Sequence, residues 1–290
     1  MQVETVVREL EIPSSGGRTV RADFRPSARG PDSPLVVACH GFLAYKRWGF
    51  FPYLSDRLAG SGCHVLTMSF SMNGVDEDTG LIARPDEFAR NTVSAEIDDL
   101  AAVREHVRRG ALAADGVRGG VRGLFGHSRG GSVAILCARS FGGLRSIVTW
   151  STLGTLDRYT ARRKARWRED GALVFADERS PEPLRLDYGY WKDIEAHREA
   201  FDLPAAAASL AAPHLMVHGD RDGAVTLRET RALVAGTRAA EARLEVIHGA
   251  GHTFNVPHPM SAPTHALEQA VRLTTDWFTR TIGTAREEHR

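Results

Sequence analysis

Gly126-His127-Ser128-Arg129-Gly130 sets a serine between two glycines, directly after the apolar run Val121 to Phe125 and directly before the helical stretch Val133 to Arg139. A chain that passes from strand to helix in so few residues turns sharply, which leaves the serine at the tip, exposed at a helix N-terminus. Glycines two residues to either side let neighbouring backbone pass close by. The chemistry this arrangement suits is attack by a hydroxyl. A serine hydroxyl is a weak nucleophile near neutrality and needs a base, and a histidine titrates in the right range. Of the 12 histidines, His252 is placed best: it follows the last strand-like run, Arg243 to Ile247, through His248-Gly249-Ala250-Gly251, and precedes a C-terminal helical pattern. His248 and His252 have the four-residue spacing of a metal pair on a helix, but the glycines between them argue against a helix, so no metal site is expected.

A base of this kind needs a carboxylate to fix its tautomer and stabilise its charged form. Two aspartates follow the apolar run His214 to His218, Asp220 and Asp222. Asp220 adjoins Gly219 and reads as a turn residue that accepts backbone hydrogen bonds. Asp222 lies farther out, before Gly223-Ala224-Val225, and is preferred as the acid. A fourth piece is His40-Gly41-Phe42, at the end of the run Leu35 to Cys39, where the Phe42 N–H, with that of Arg129, is positioned to receive a developing oxyanion. His40 itself reads as structural, its ring bonded to nearby backbone.

These residues need a scaffold that brings four loops to one edge, and the remaining pattern supplies it. Val3 to Ile12 and Arg18 to Phe24 flank Ser14-Ser15-Gly16-Gly17 and read as a hairpin. Leu35 to Cys39, a helix over Pro52 to Leu58 and His64 to Phe70 form a strand–helix–strand unit. Val93, Ile97, Leu100, Val103 and Val107 recur at helical spacing, and Gly110 follows as a stop. Strands alternating with helices imply a parallel sheet covered on both faces, with ligands held beyond the strand C-termini. The stretch 151–210 breaks the alternation. It shows no clear strand and is read as a helical cap insertion within a single 1–290 domain, since long insertions of this kind are often lids or binding segments. Its Trp167, Tyr188 and Trp191 are candidate pocket-lining residues. Its Arg158, Arg162, Arg163, Lys164, Arg166 and Arg168 form a local basic cluster, read as a solvated helix face, with recognition of an anionic substrate group as the sharper hypothesis.

Composition restricts the field further. The chain has 290 residues, 42% hydrophobic and 25% charged, as expected of a folded globular protein with a full core. Its 37 basic and 36 acidic residues nearly cancel, so nothing in the overall charge draws it to nucleic acid or to a membrane surface. Cys39, Cys63 and Cys137 each sit in an apolar stretch and read as buried thiols. With no basic-then-apolar leader at Met1-Gln2-Val3-Glu4 and no long apolar run, the expectation is a cytoplasmic protein. A small-molecule acyl substrate is the expected partner, and a homodimer is left open.

The order Ser128, Asp222, His252 and the stretches HGFLAYKRWGFFPYLSDRLA, GHSRGG, HGDRDGAV and GAGHTF resemble the α/β-hydrolase superfamily from about Leu35 to the C-terminal helix. Within it they resemble the esterase and dienelactone-hydrolase-like branch that includes cinnamoyl esterases. The resemblance implies an α/β fold with an eight-stranded, mostly parallel sheet, no cofactor, and acyl transfer to water. Two positions depart from that pattern: Arg129 stands where relatives often carry Gln, and Thr226 where many have Pro. The function expected is that of a serine esterase acting on a small or medium acyl group. A thioesterase or acyltransferase is the second reading, and a non-hydrolytic small-molecule binding protein on the same fold is the third.

Overall fold

The computed structural model describes residues 7–239 and 241–282. The N-terminal hairpin forms from β1 (Arg8–Pro13) and β2 (Thr19–Arg25), antiparallel with Leu10 opposite Ala22. The part of that reading that covers Val3 lies outside the described residues. Next come β3 (Leu35–Cys39), α1 (Phe51–Ser61) and β4 (His64–Ser69). Gly62, with φ 109°, ends α1 in the left-handed conformation that glycine adopts without penalty. After α2 (Pro85–Ala89), the helix read from its apolar spacing is α3 (Val93–Arg108), capped by the Thr92 side chain, which accepts the Ala95 N–H.

The chain continues through β5 (Val121–His127), α4 (Arg129–Cys137) and β6 (Ser146–Trp150). After the intervening segment come β9 (His214–Gly219), α8 (Leu227–Gly236), β10 (Ala242–Ile247) and α9 (His265–Ile282). Eight strands make one sheet in the order β1-β2-β4-β3-β5-β6-β9-β10. β2 runs antiparallel to both of its neighbours, and all other pairings are parallel.

The sheet is covered on both faces: β3, β4, β6 and β9 are buried at every position, and β3 is apolar throughout, the pattern of a strand packed on both sides. Along β3, Leu35, Val37 and Cys39 enter one core cluster while Val36 and Ala38 enter the other. α3 and α4 cover the first face with Leu100, Val103, Val133 and Ala134; α1 and α9 cover the second with Leu54, Leu58, Leu267 and Phe278. The three cysteines are buried and free. No helix among the described residues is long and apolar enough to cross a membrane.

The stretch 151–210 corrects the sequence reading, because it contains strands. α5 (Ala161–Asp170) is followed by an antiparallel hairpin of β7 (Ala172–Phe175) and β8 (Leu184–Asp187), then by α6 (Gly189–Ala196) and α7 (Leu203–Ala208). Each strand has only four residues, too few to establish a period of two, and no tight turn joins them. Leu184 and Leu186 on β8 point into a third apolar cluster, with Trp167, Trp191 and the loop residues Val75 and Ile82.

Candidate active site

Ser128 sits between the end of β5 and the first residue of α4 with φ 54° and ψ −124°. A non-glycine residue held there costs about 1–3 kcal/mol and persists only where its surroundings fix it. Here the Ser128 N–H donates to Trp150 O at 2.8 Å, and the N–H groups of Gly131 and Ser132 donate to Ser128 O. The flanking glycines are demanded by close approach. A Cβ on Gly126 would lie 2.4 Å from Gly131 Cα, and one on Gly130 would lie 2.2 Å from His40 O.

The loops after β5, β9 and β10 converge at this point. His252 Nε2 lies 3.0 Å from Ser128 Oγ, and His252 Nδ1 lies 2.8 Å from Asp222 Oδ2. The carboxylate can only accept, so Nδ1 carries the ring proton and the Nε2 lone pair faces the serine hydroxyl. Asp222 Oδ1 accepts the N–H groups of Ala224 and Val225 at 2.8 and 2.9 Å. Burial works to raise the Asp222 pKa, but the hydrogen bond and charge of His252 and these two amides outweigh it and hold it at about 2. Asp220 lies elsewhere, accepting Gly249 N–H at 2.7 Å and meeting the exposed His248 at 2.9 Å. Of the two candidate acids, Asp222 is the one that reaches His252.

Two further histidines support this arrangement, and the sequence reading missed both roles. His218 Nε2 lies 3.0 Å from Val225 O and 3.3 Å from Asp222 Oδ2, while its Nδ1 meets Thr230 Oγ1 at 2.7 Å. Because Val225 O only accepts, Nε2 carries the proton and adds a further donor toward Asp222. His127 Nε2 donates to His252 O at 3.0 Å, fixing the backbone of the loop after β10, and burial lowers the His127 pKa to about 3. The available signal was position: His218 belongs to a wholly buried strand, where a polar side chain needs partners.

His40 is structural, as read. Its Nδ1 donates to Gly41 O at 2.8 Å, its Nε2 accepts the Phe70 N–H at 3.0 Å, and burial lowers its pKa to about 3. The loop it anchors packs on the Ser128 turn, since a Cβ on Gly41 would lie 3.0 Å from Ser128 Cβ. Among the described residues the N–H groups of Phe42 and Arg129 make no hydrogen bond. That of Arg129 belongs to the first turn of α4, where amides have no partner within the helix.

Ser128 and His252 open into a cleft of about 560 Å³. Phe42, Leu43, Trp48 and Leu81 give it an apolar wall, and Asp177, Glu178 and Arg179, between β7 and β8, supply charge. Arg179 is bound to Asp177 at 2.8 Å and donates to Leu43 O at 2.6 Å, which straps this connection to the loop after β3.

The expected pocket-lining residues are corrected. Trp167, Tyr188 and Trp191 do not line the cleft. Trp167 is fully buried, donates to Leu186 O at 2.8 Å and packs against the Tyr188 ring at 6.0 Å, while Trp191 lies beneath Lys164. The basic cluster is likewise outside the cleft. Arg158 pairs with Glu229 at 2.9 Å, Lys164 with Asp157 at 2.6 Å and Arg166 with Asp170 at 3.2 Å, and Arg163 stacks on Tyr159.

A sequence profile described as the alpha/beta hydrolase family matches residues 36–270. No curated protein matches the chain in sequence. Among solved structures, Est1E from Butyrivibrio proteoclasticus with ferulic acid bound is similar at TM-score 0.67 and 19% identity, over 94% of this chain and 99% of that one. The esterase domain of a Rhodothermus marinus protein is similar at TM-score 0.64 and 16% identity, over 96% and 100%. The dienelactone hydrolase of Anabaena variabilis is similar at TM-score 0.61 and 15% identity, over 96% and 99%.

Proposed function

We propose that this chain, which belongs to the alpha/beta hydrolase family, is a serine esterase that cleaves a carboxylic ester of a small or medium acyl group through an acyl-enzyme intermediate. The observation that carries the proposal is the chain of contacts from Ser128 Oγ to His252 Nε2 at 3.0 Å and from His252 Nδ1 to Asp222 Oδ2 at 2.8 Å.

In this reading Ser128 Oγ attacks the ester carbonyl carbon as His252 Nε2 takes the hydroxyl proton. Asp222 stabilises the imidazolium that forms. The carbonyl oxygen becomes an oxyanion that accepts from the unpaired N–H groups of Phe42 and Arg129, and one such donor typically contributes about 3 kcal/mol to lowering the barrier. The tetrahedral intermediate collapses, the leaving alcohol takes the proton from His252, and the acyl group remains on Ser128. Water then repeats the sequence, with His252 again as base, and the carboxylic acid departs.

The apolar wall of Phe42, Leu43, Trp48 and Leu81 suits an uncharged acyl chain or ring. A basic cluster that binds the phosphates of an acyl-CoA would favour a thioester substrate, but none of its six side chains lines the cleft, and Arg158, Lys164 and Arg166 are engaged in local ion pairs. The test is a panel of p-nitrophenyl esters from acetyl to decanoyl, alongside the acyl-CoA thioesters of the same chains. The esterase reading expects kcat/KM to peak at a short or medium ester and to be lower on every thioester. Preference for the thioesters would overturn it.

A further inference from the structure

Arg129 contributes more to the site than its amide. Its side chain turns away from the cleft and is only 7% exposed. There it pairs with Glu96 of α3, a side chain 1% exposed that also accepts from Asn91 Nδ2 at 2.9 Å. The guanidinium carbon sits 4.5 Å from the centroid of the Phe42 ring and 5.6 Å from that of Tyr190. The Phe42 ring is bounded on its other sides by Phe88 at 5.4 Å and Phe175 at 5.6 Å.

Stability does not explain this choice of residues. A buried ion pair bears a desolvation cost that its attraction often fails to recover, and well-packed apolar residues of similar volume commonly hold a fold at least as firmly. Arginine offers something an apolar side chain lacks, a planar cation that stacks on an aromatic face while its edge donates to a carboxylate. Its location gives that property a use. Phe42 and Arg129 each bear an N–H group that makes no hydrogen bond among the described residues, on segments more than 80 residues apart in sequence that pack together at Ser128. The Arg129 backbone carries one of these amides, and its side chain presses on the residue that carries the other.

We propose that the Arg129–Glu96 pair is a positioning device: Glu96 aims the guanidinium, the guanidinium fixes the Phe42 ring, and the spacing of the two oxyanion-binding amides is set as a result. The proposal rests on the esterase reading for its catalytic consequence, but the clamp itself is a property of the folded chain. Misplacing a catalytic group by about 1 Å costs on the order of 100-fold in rate, so loosening the clamp lowers kcat with little effect on ground-state binding.

The test is the double variant R129M/E96L, which removes both partners at once and leaves no buried charge unpaired. The expected result is a folded protein whose melting temperature falls by a few degrees, because Asn91 Nδ2 loses its acceptor, with KM for p-nitrophenyl butyrate little changed and kcat lower by about 10- to 100-fold. Amide hydrogen exchange of the peptide spanning residues 41–46, measured without substrate, is expected to accelerate while the β5 peptide keeps its protection. A double variant with wild-type kcat overturns the proposal, and so does unchanged exchange in the 41–46 peptide. If the wild type itself hydrolyses no ester, it is the esterase reading that fails, and the exchange measurement still decides whether the clamp exists.

Discussion

His218 Nε2 lies 3.3 Å from Asp222 Oδ2, the same carboxylate oxygen that meets His252 Nδ1 at 2.8 Å, so two imidazoles from different segments converge on one acid. His218 is held in its donor tautomer by Thr230, which binds its other nitrogen at 2.7 Å. A hydrogen bond to a buried charge contributes about 1.5–3 kcal/mol. Replacing His218 by Phe together with Thr230 by Val removes this donor without leaving Thr230 unpaired. The expected outcome is a fall in kcat of about tenfold or more in steady-state ester hydrolysis, with the protein still folded by circular dichroism. Unchanged kcat would mean that His218 serves packing only.

The two aspartates of the loop after β9 separate cleanly. Asp222→Asn keeps the shape but presents the wrong partner to His252 Nδ1, a change that costs on the order of 10⁴ in kcat in enzymes with this constellation. Asp220→Asn weakens contacts to Gly249 N and His248 outside the site and is expected to cost less than about tenfold. Comparable losses in the two variants would contradict the assignment of the acid.

Close approach at the Ser128 turn predicts a contrast between two glycines. Gly130→Ala would set a methyl 2.2 Å from His40 O, whereas Gly223→Ala meets nothing within 4 Å. Overpacking of a tight backbone contact costs about 1–3 kcal/mol or more. Thermal melting is therefore expected to drop by several degrees in Gly130→Ala and to stay near wild type in Gly223→Ala. Equal melting temperatures would mean that the β3 loop yields easily at this point.

Acid stability follows from the buried histidines. Burial lowers the pKa of His40, His127 and His214 to about 3 from an ordinary value of 6.5. Above pH 6.5 these rings are neutral in both folded and unfolded chains and cause no difference. As pH falls from 6.5 toward 3 the unfolded chain takes up protons that the folded one refuses, so stability declines through that window. Asp222, held at about 2, adds to the loss as pH falls below its ordinary carboxylate value. Glu96 and Asp99, raised chiefly by burial, oppose it in part. Denaturant titrations at pH 7, 6 and 5 are expected to give successively lower unfolding free energies, and replacing His214 by Gln to make the decline shallower. A flat profile between pH 7 and 5 would contradict the account.

The parts legible in the sequence were those with local signatures. Ser128 was readable because a strand, a glycine-flanked serine and a helix adjoin in the chain, and His252 because a glycine-rich loop after a strand cannot be a helix. The strand order and the cap hairpin were not readable in the same way. β7 and β8 are four residues each and are fixed by packing Leu184 and Leu186 beneath distant loops. The aromatic residues of 151–210 look alike in sequence whether they face a cleft or one another, and Trp167 and Tyr188 face one another. Glu96 did leave a trace. It lies three residues after Val93 and four before Leu100, on the apolar face of α3, and a charge on that face implies a buried partner. Nothing local identified that partner as Arg129, 33 residues away.

The proposed mechanism requires Ser128 to be an activated nucleophile. Intact-mass measurement after incubation with a fluorophosphonate, followed by peptide mapping, tests this without any assumption about the substrate. The expected result is one equivalent of probe on Ser128 in the wild type, none in Ser128→Ala, and much slower labelling in His252→Ala. A wild-type protein that stays unlabelled, or one that carries the probe at another residue, would show that Ser128 is not the nucleophile.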